Sequence, residues 1–232
     1  MACRKYTRKP KKQFTRKTFP ICFSITFAPP MEEMQHRILE DSVDLFFKYG
    51  IKSITMDDIS KELGISKKTL YKHVSNKGDL VEQGVKAKFE QVSSALKEFS
   101  NTVENSIDEL FAIDEYFDIM MRQNHPAVMF QLSKYYPETF KWLDKAKDEF
   151  VLEITRANLE KGIRQGLYRA DLNIDFISYI YMAHTNLMEG GTNVPQEICE
   201  SPEFHRHHLV YHIRGIGSEK GLTYLNNKLS KQ

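Results

Sequence analysis

The segment from Leu63 to Gly78 holds the side chains of this sequence that could do chemistry together. Its sequence, LGISKKTLYKHVSNKG, contains four lysines and one histidine and no acidic residue. Cationic donors of this kind bind phosphate groups and the acceptor edge of guanine. A run of positive charge is also common on a helix face that contacts only water. The elements that hold these lysines therefore decide between the two interpretations.

A short helical pattern over residues 55–63 precedes the basic segment, and the two are joined by Gly64, Ile65 and Ser66. Thr55 and Ser66 stand where the N-capping residues of two successive helices belong. Two short helices joined by a tight glycine turn form a helix-turn-helix, whose second helix fits the DNA major groove. The spacing therefore predicts a DNA-binding unit rather than a solvated face.

Two groups of side chains in this unit are the candidate DNA contacts. The residues expected to read base edges are Lys67, Lys68, Thr69 and Lys72. The residues expected to hold phosphates are Thr55, Tyr71, His73 and Lys77. Lysine donates to guanine O6 and N7 and a threonine methyl can touch thymine, whereas phosphate contacts set the register without reading sequence. At Lys77, free N–H groups of a helix start would meet the same phosphate as the ammonium.

Every strong pattern in the rest of the chain is helical. Apolar side chains recur at steps of three and four, and no stretch alternates as a half-buried β-strand does. The first helix is predicted to end at Gly50, because glycine commonly follows the last turn of a helix. Asp79 is predicted to open the fourth helix, and a long later helix is expected between Pro137 and Gly166. Together these patterns predict an all-α fold.

Composition and charge allow a globular protein with one basic patch. Hydrophobic residues make up 41% of the 232 residues, which is enough for a core. We expect a helix-turn-helix DNA-binding domain over residues 31–78 and a helical ligand-binding and dimerisation domain over residues 79–232. The three cysteines have no metal-like or disulfide-like spacing, which fits a reducing, cytoplasmic setting, and no apolar run is long enough to span a membrane.

Residues 1–30 differ from the rest of the chain. Eight of the 33 Lys and Arg side chains lie there without any acid, so the remainder of the chain is net acidic. The basic start and the short apolar run after it resemble a secretory signal peptide, although prolines interrupt the run. A basic arm that assists DNA binding is a second interpretation. We expect a disordered leader or a wrongly assigned start, with Met31 as the true beginning.

The chain resembles the tetracycline-repressor (TetR) family of bacterial transcription regulators over roughly residues 34–82. The resemblance is carried by Ile38, Leu45, Phe46, Gly50, Thr55, Ile59, Gly64, Ile65, Ser66, Thr69, Leu70, Tyr71, His73 and Lys77. Two residues depart from the pattern: Val74 replaces a common phenylalanine, and Ser42 replaces a common alanine. Beyond Val81 only the number and length of the helices match.

The resemblance implies a homodimeric repressor that a small-molecule effector releases from a palindromic DNA operator. It places the dimer interface on the last two long helices, where Phe176, Ile177, Tyr179, Ile180, Tyr181 and Met182 leave hardly any polar face. The effector would enter the C-terminal bundle and shift the fourth helix. Candidate pocket residues are Phe117, Met120, Met121, His125, Trp142, His184 and Asn186. Ordinary core packing explains the same residues equally well.

Other functions find less support in the sequence. Histidines at 205, 207, 208 and 212 invite a metal interpretation, but no acid or cysteine completes a ligand set at helical spacing, so no metal or cofactor is predicted. The sequence has no Gly-x-Ser-x-Gly nucleophile elbow and no paired carboxylates in an expected cleft, so an enzyme is not predicted. The alternative left open is an architectural or nucleoid-associated DNA-binding protein of the same fold without an effector.

Overall fold

Helices account for nearly all regular structure in a computed structural model that describes residues 33–123, 127–188, 195 and 201–231. For residues 118, 120–123, 187, 188 and 202, only the backbone is described. Within these ranges there is no strand, and the only β contact is an isolated bridge between Tyr168 and Gly217. No helix in the described part of the chain is both long enough and apolar enough to cross a membrane. The all-α prediction is confirmed.

The described residues form ten helices. They are α1 (Glu33–Tyr49), α2 (Met56–Glu62), α3 (Lys67–His73), α4 (Lys77–Thr102), α5 (Ser106–Gln123), α6 (Ala127–Tyr135), α7 (Pro137–Arg164), α8 (Ile174–Met188), α9 (Pro202–Ile216) and α10 (Glu219–Leu229). Gly50 and Gly166 follow the ends of α1 and α7 with φ of 85° and 69°, a conformation that costs glycine nothing. Both predicted helix ends are confirmed.

The start of α4 differs from the prediction. The helix begins at Lys77 instead of Asp79, because the side chain of Asn76 caps it by accepting a hydrogen bond from the Asp79 N–H at 3.0 Å. Asn76 is therefore the cap of α4, and Lys77 and Gly78 lie in its first turn. Lys77 consequently lies inside the helix, and its side chain has a fixed direction.

Helices α1 to α4 do not supply all of the side chains in the hydrophobic core of the helix-turn-helix. Val128 and Leu132 of α6 are 4% and 1% exposed, and they pack in the same cluster as Ile38, Phe46 and Leu80. Side chains from the start of α7 cover the rim of this cluster. The predicted boundary between residues 78 and 79 remains a prediction, but the hydrophobic core extends well past it.

Helix α4 runs from the helix-turn-helix into the bundle and is held at its far end by Lys161 of α7. The Lys161 ammonium donates to the carbonyls of Ser100 and Val103 at 2.8 and 3.1 Å, and to the Glu109 carboxylate at 2.8 Å. Glu109 is 1% exposed, so the ion pair of Lys161 and Glu109 is largely shielded from solvent. A cation at the last carbonyls of a helix also suits the negative end of the dipole. The end of α4 is thereby tied to α5 and α7.

Candidate nucleic-acid interface

Helix α2 begins with a complete capping box between Thr55 and Asp58. The Thr55 hydroxyl accepts from the Asp58 N–H at 3.2 Å, and the Asp58 carboxylate accepts from the Thr55 N–H at 2.9 Å. The same carboxylate accepts the Thr55 hydroxyl proton at 2.6 Å, and this side-chain bond is the main cause that lowers the pKa of Asp58. The cap is confirmed. The Thr55 hydroxyl proton is donated to Asp58 in this geometry, and the phosphate contact by Thr55 stays a prediction.

The turn between α2 and α3 has the predicted construction. Gly64 takes a φ of 66°, and the Ile65 N–H donates to the Ser60 carbonyl at 3.0 Å. Ser66 caps α3 by accepting from the Thr69 N–H at 3.0 Å. Leu70 on the inner face of α3 is fully buried. These contacts fix the orientation of α3, so its outer face is also fixed.

The outer face of α3 is basic and turned to solvent. Lys67, Lys68 and Lys72 are exposed, and Tyr71 beside them is 49% exposed. Thr69 and His73 of the same helix are partly exposed, and the Thr69 hydroxyl is hydrogen bonded to Ser66, which leaves its methyl group for contact. The geometry thus brings together the four residues expected to read bases, with Tyr71 and His73. Their contacts with DNA remain predictions.

Lys77 does not lie on this surface as expected. Its ammonium donates to the carbonyl of Ile51 at 2.5 Å and to that of Ile54, both in the loop between α1 and α2. Burial, followed by the nearby charge of Lys52, lowers the pKa of Lys77. In this geometry the ammonium is directed at two carbonyls of the loop and not at the outer face of α3, and the phosphate contact by Lys77 stays a prediction. The sequence placed Lys77 close to the start of α4 but could not give the direction of its side chain.

One contact on this surface was not predicted. The Lys67 ammonium lies 2.6 Å from the Asp57 carboxylate, and both side chains are about half exposed. The pair joins the first turn of α2 to the first residue of α3. Nothing in local periodicity indicates a contact between residues on opposite sides of a turn.

The candidate effector residues do not converge on one place. Phe117 and Trp142 lie by the aromatic group of Phe89 and Phe150, where Trp142 meets Phe89 edge-on at 5.7 Å. His184 instead faces α9, where its Nδ1 is 3.3 Å from Nε2 of His208. Asn186 donates to Asp148 of α7 at 3.1 Å. Three further predicted positions lie outside what the structure describes: the side chains of Met120 and Met121, and all of His125.

Helices α8 and α9 present large apolar side chains to solvent. Phe176, Tyr179 and Ile180 on α8 are 61%, 51% and 40% exposed, and Tyr211 on α9 is 72% exposed. Spacings of three and four residues put the α8 set on one stripe. Tyr181 and Met182, in contrast, are partly buried within the protomer. The predicted all-round apolar helix therefore has one inward face and one uncovered face.

The amino-acid sequence is similar to those of bacterial transcriptional regulators. Residues 38–83 match the family model described as "Bacterial regulatory proteins, tetR family". The negative transcriptional regulator IcaR of the biofilm operon icaADBC in Staphylococcus aureus (strain Newman) is 31% identical over 107 residues, which are 46% of this chain and 57% of IcaR. The match thus spans little more than half of that relative. The HTH-type transcriptional regulator YvaF of Bacillus subtilis (strain 168) is 27% identical over 162 residues, 66% of this chain and 80% of YvaF.

Solved structures share the fold across most of the chain. The reduced form of NemR from E. coli aligns with a TM-score of 0.61 and 15% identity over 81% of this chain and 98% of NemR. The transcriptional regulator FadR from Bacillus subtilis, solved in complex with stearoyl-CoA, aligns with a TM-score of 0.58 and 17% identity over 80% of this chain and all of FadR. At these identities the likeness extends the fold beyond the DNA-binding unit and carries no ligand or partner with it.

Proposed function

We propose that this chain is a cytoplasmic, sequence-specific DNA-binding repressor of the TetR family, whose family model its residues 38–83 match. The observation that carries the proposal is the exposed lysine face of α3, held outward by the Ser66 cap and the buried Leu70. A helix displayed in this way fits the major groove, where lysine reads guanine. Lys68 and Lys72 are the residues we expect to discriminate bases, with Tyr71 on a phosphate.

A single recognition helix binds too weakly for an operator, so we propose a homodimer. The uncovered apolar stripe of Phe176, Tyr179 and Ile180, with Tyr211 of α9, supports an interface through α8 and α9. Exposed apolar side chains that lie together commonly mark such a surface. Two α3 helices about one DNA turn apart, roughly 34 Å, would then meet a near-palindromic site.

The fold offers a route by which an effector in the bundle could release DNA. Gln131 of α6 accepts a hydrogen bond from the Lys52 N–H at 2.8 Å, and the Lys52 ammonium lies 4.3 Å from the centre of the Tyr135 ring. With Val128 and Leu132 in the shared core, α6 touches both the bundle and the helix-turn-helix. FadR, of similar fold, was solved with stearoyl-CoA. We propose that a small molecule beside Phe117 and Trp142 displaces α6 and lowers DNA affinity.

Selection of bound duplexes from a random pool, followed by titration of the winning sequence, tests the DNA part. We expect an inverted repeat, and we expect Lys68→Ala or Lys72→Ala to relax base preference at particular positions. A protein that selects no sequence at low salt would contradict the proposal.

A thermal-shift screen of metabolites tests the effector. A true effector should raise the melting temperature and release the selected duplex. Selection without any such ligand would favour the architectural alternative.

A further inference from the structure

Asp57 is an acidic residue on the surface that we propose meets DNA. It lies in the first turn of α2, where a carboxylate is favoured by the helix dipole. The capping box is already complete with Thr55 and Asp58, so the start of α2 does not need a second carboxylate for its hydrogen bonds. Asp57 bonds instead to the first residue of the next helix, through the 2.6 Å pair with the Lys67 ammonium. Its partner is one of the three exposed lysines of α3.

The pair changes what Lys67 can do. A free lysine is a flexible point charge, which binds any phosphate and so adds affinity without sequence preference. A carboxylate at 2.6 Å offsets part of that charge toward distant phosphates and favours one direction for a stem that would otherwise rotate. Two N–H groups of the ammonium remain available for short-range donation, which is the kind of contact that reads a base edge.

We propose that Asp57 is a specificity-determining residue of the DNA-binding unit, which acts by holding Lys67 toward base edges and away from phosphates. The inference rests on the proposed function, since it concerns the same face of α3. Asp57 acts through Lys67 and does not itself contact a base. It lowers affinity for unrelated sequences more than affinity for the operator.

The test compares Asp57→Asn with the unmodified chain on two duplexes, the sequence selected from the random pool and a scrambled duplex of equal length. We expect affinity for the scrambled duplex to rise about fivefold and affinity for the selected duplex to rise less than about twofold. The salt slope on the scrambled duplex should steepen by about one unit, because a freed Lys67 displaces one more counterion. Asp44→Asn is the matched control, since Asp44 is an exposed carboxylate on α1 that pairs with Lys88 at 3.3 Å.

A double-mutant cycle with Lys67→Ala separates positioning from simple repulsion. If Asp57 acts through Lys67, Asp57→Asn should not change the ratio of the two affinities once Lys67 is alanine. A change in that ratio in the alanine background, or an equal rise on both duplexes in the unmodified background, overturns the inference. An unmodified chain that binds neither duplex refutes the proposed function itself, and a chain that binds normally while Asp57→Asn behaves like Asp44→Asn refutes this inference alone.

Discussion

Replacing Lys77 with methionine removes the ammonium that bonds the carbonyls of Ile51 and Ile54, while an unbranched side chain of similar length remains in α4. Each carbonyl loses a charge-assisted bond, and a partly buried acceptor left without a donor costs about 1–3 kcal/mol. Lys77 is only partly buried, so water can reach the two carbonyls, and the cost for each is about 1 kcal/mol. The lowered pKa of Lys77 indicates that burying the charge is itself unfavourable, which offsets part of the loss.

These opposing effects leave a net loss of about 1–2 kcal/mol for Lys77→Met. For a chain of this size, that corresponds to a fall in melting temperature of roughly 2–8 °C. Denaturant unfolding followed by circular dichroism measures the free energy directly. Lys72→Met is the control, because Lys72 is exposed on α3 and its replacement should change stability by less than about 0.5 kcal/mol.

The same pair of variants separates two roles for Lys77. If Lys77→Met unfolds like the unmodified chain and instead weakens binding to all duplexes with a salt slope reduced by about one unit, the ammonium binds a phosphate. That result would refute the inward geometry and restore the expectation drawn from the sequence. A stability loss with an unchanged salt slope supports the internal role.

Three further predictions concern the stability of the fold. The hydroxyl of Ser42 is fully buried on α1 without a hydrogen-bond partner, so Ser42→Ala should raise the free energy of unfolding by about 1 kcal/mol in denaturant titration. At Gly84 an added Cβ would overlap Cγ2 of Val43 where α4 crosses α1, so Gly84→Ala should lower the melting temperature, and adding Val43→Ala should recover part of the loss. Burial, with neighbouring histidines, lowers the pKa of His208 to about 4 and that of His212 to about 3. As pH falls below about 6.5, these histidines gain protons in the unfolded chain before they do so in the folded chain. The denaturant concentration at the unfolding midpoint should therefore decrease as pH is lowered from about 6.5 to 5. His212→Leu should flatten that dependence, and an unchanged slope in this variant would contradict the assignment.

Features that depend on neighbours in the chain were predictable from the sequence. Thr55 and Ser66 cap their helices because the bonded N–H groups lie three residues away, and Gly64 turns because only glycine takes its φ without strain. Features set by tertiary contact were not predictable. The inward direction of Lys77 depends on two carbonyls in the loop that begins just after Gly50. The pattern of residues within α4 gives no information about that loop.

The candidate sites divide in the same way. The lysine face of α3 could be derived from sequence because it needs only one helix and one buried anchor, Leu70. Residue type is the basis of the predicted effector site, and His184 and Asn186 point to different helices because bundle packing decides their direction. A list of aromatic and polar residues contains no information on that packing.

The position of α6 limits how the helix-turn-helix of this chain can be combined with the helical bundle of another protein. A hybrid protein that joins residues up to 83 to the bundle of another protein would separate the helix-turn-helix from Val128 and Leu132. These two side chains are buried in its hydrophobic core. The apolar surface around Ile38 and Phe46 would then be exposed to solvent, unless the other bundle supplied side chains that cover it. A hybrid should therefore include residues 127–143 together with the helix-turn-helix, even though the two segments are distant in sequence.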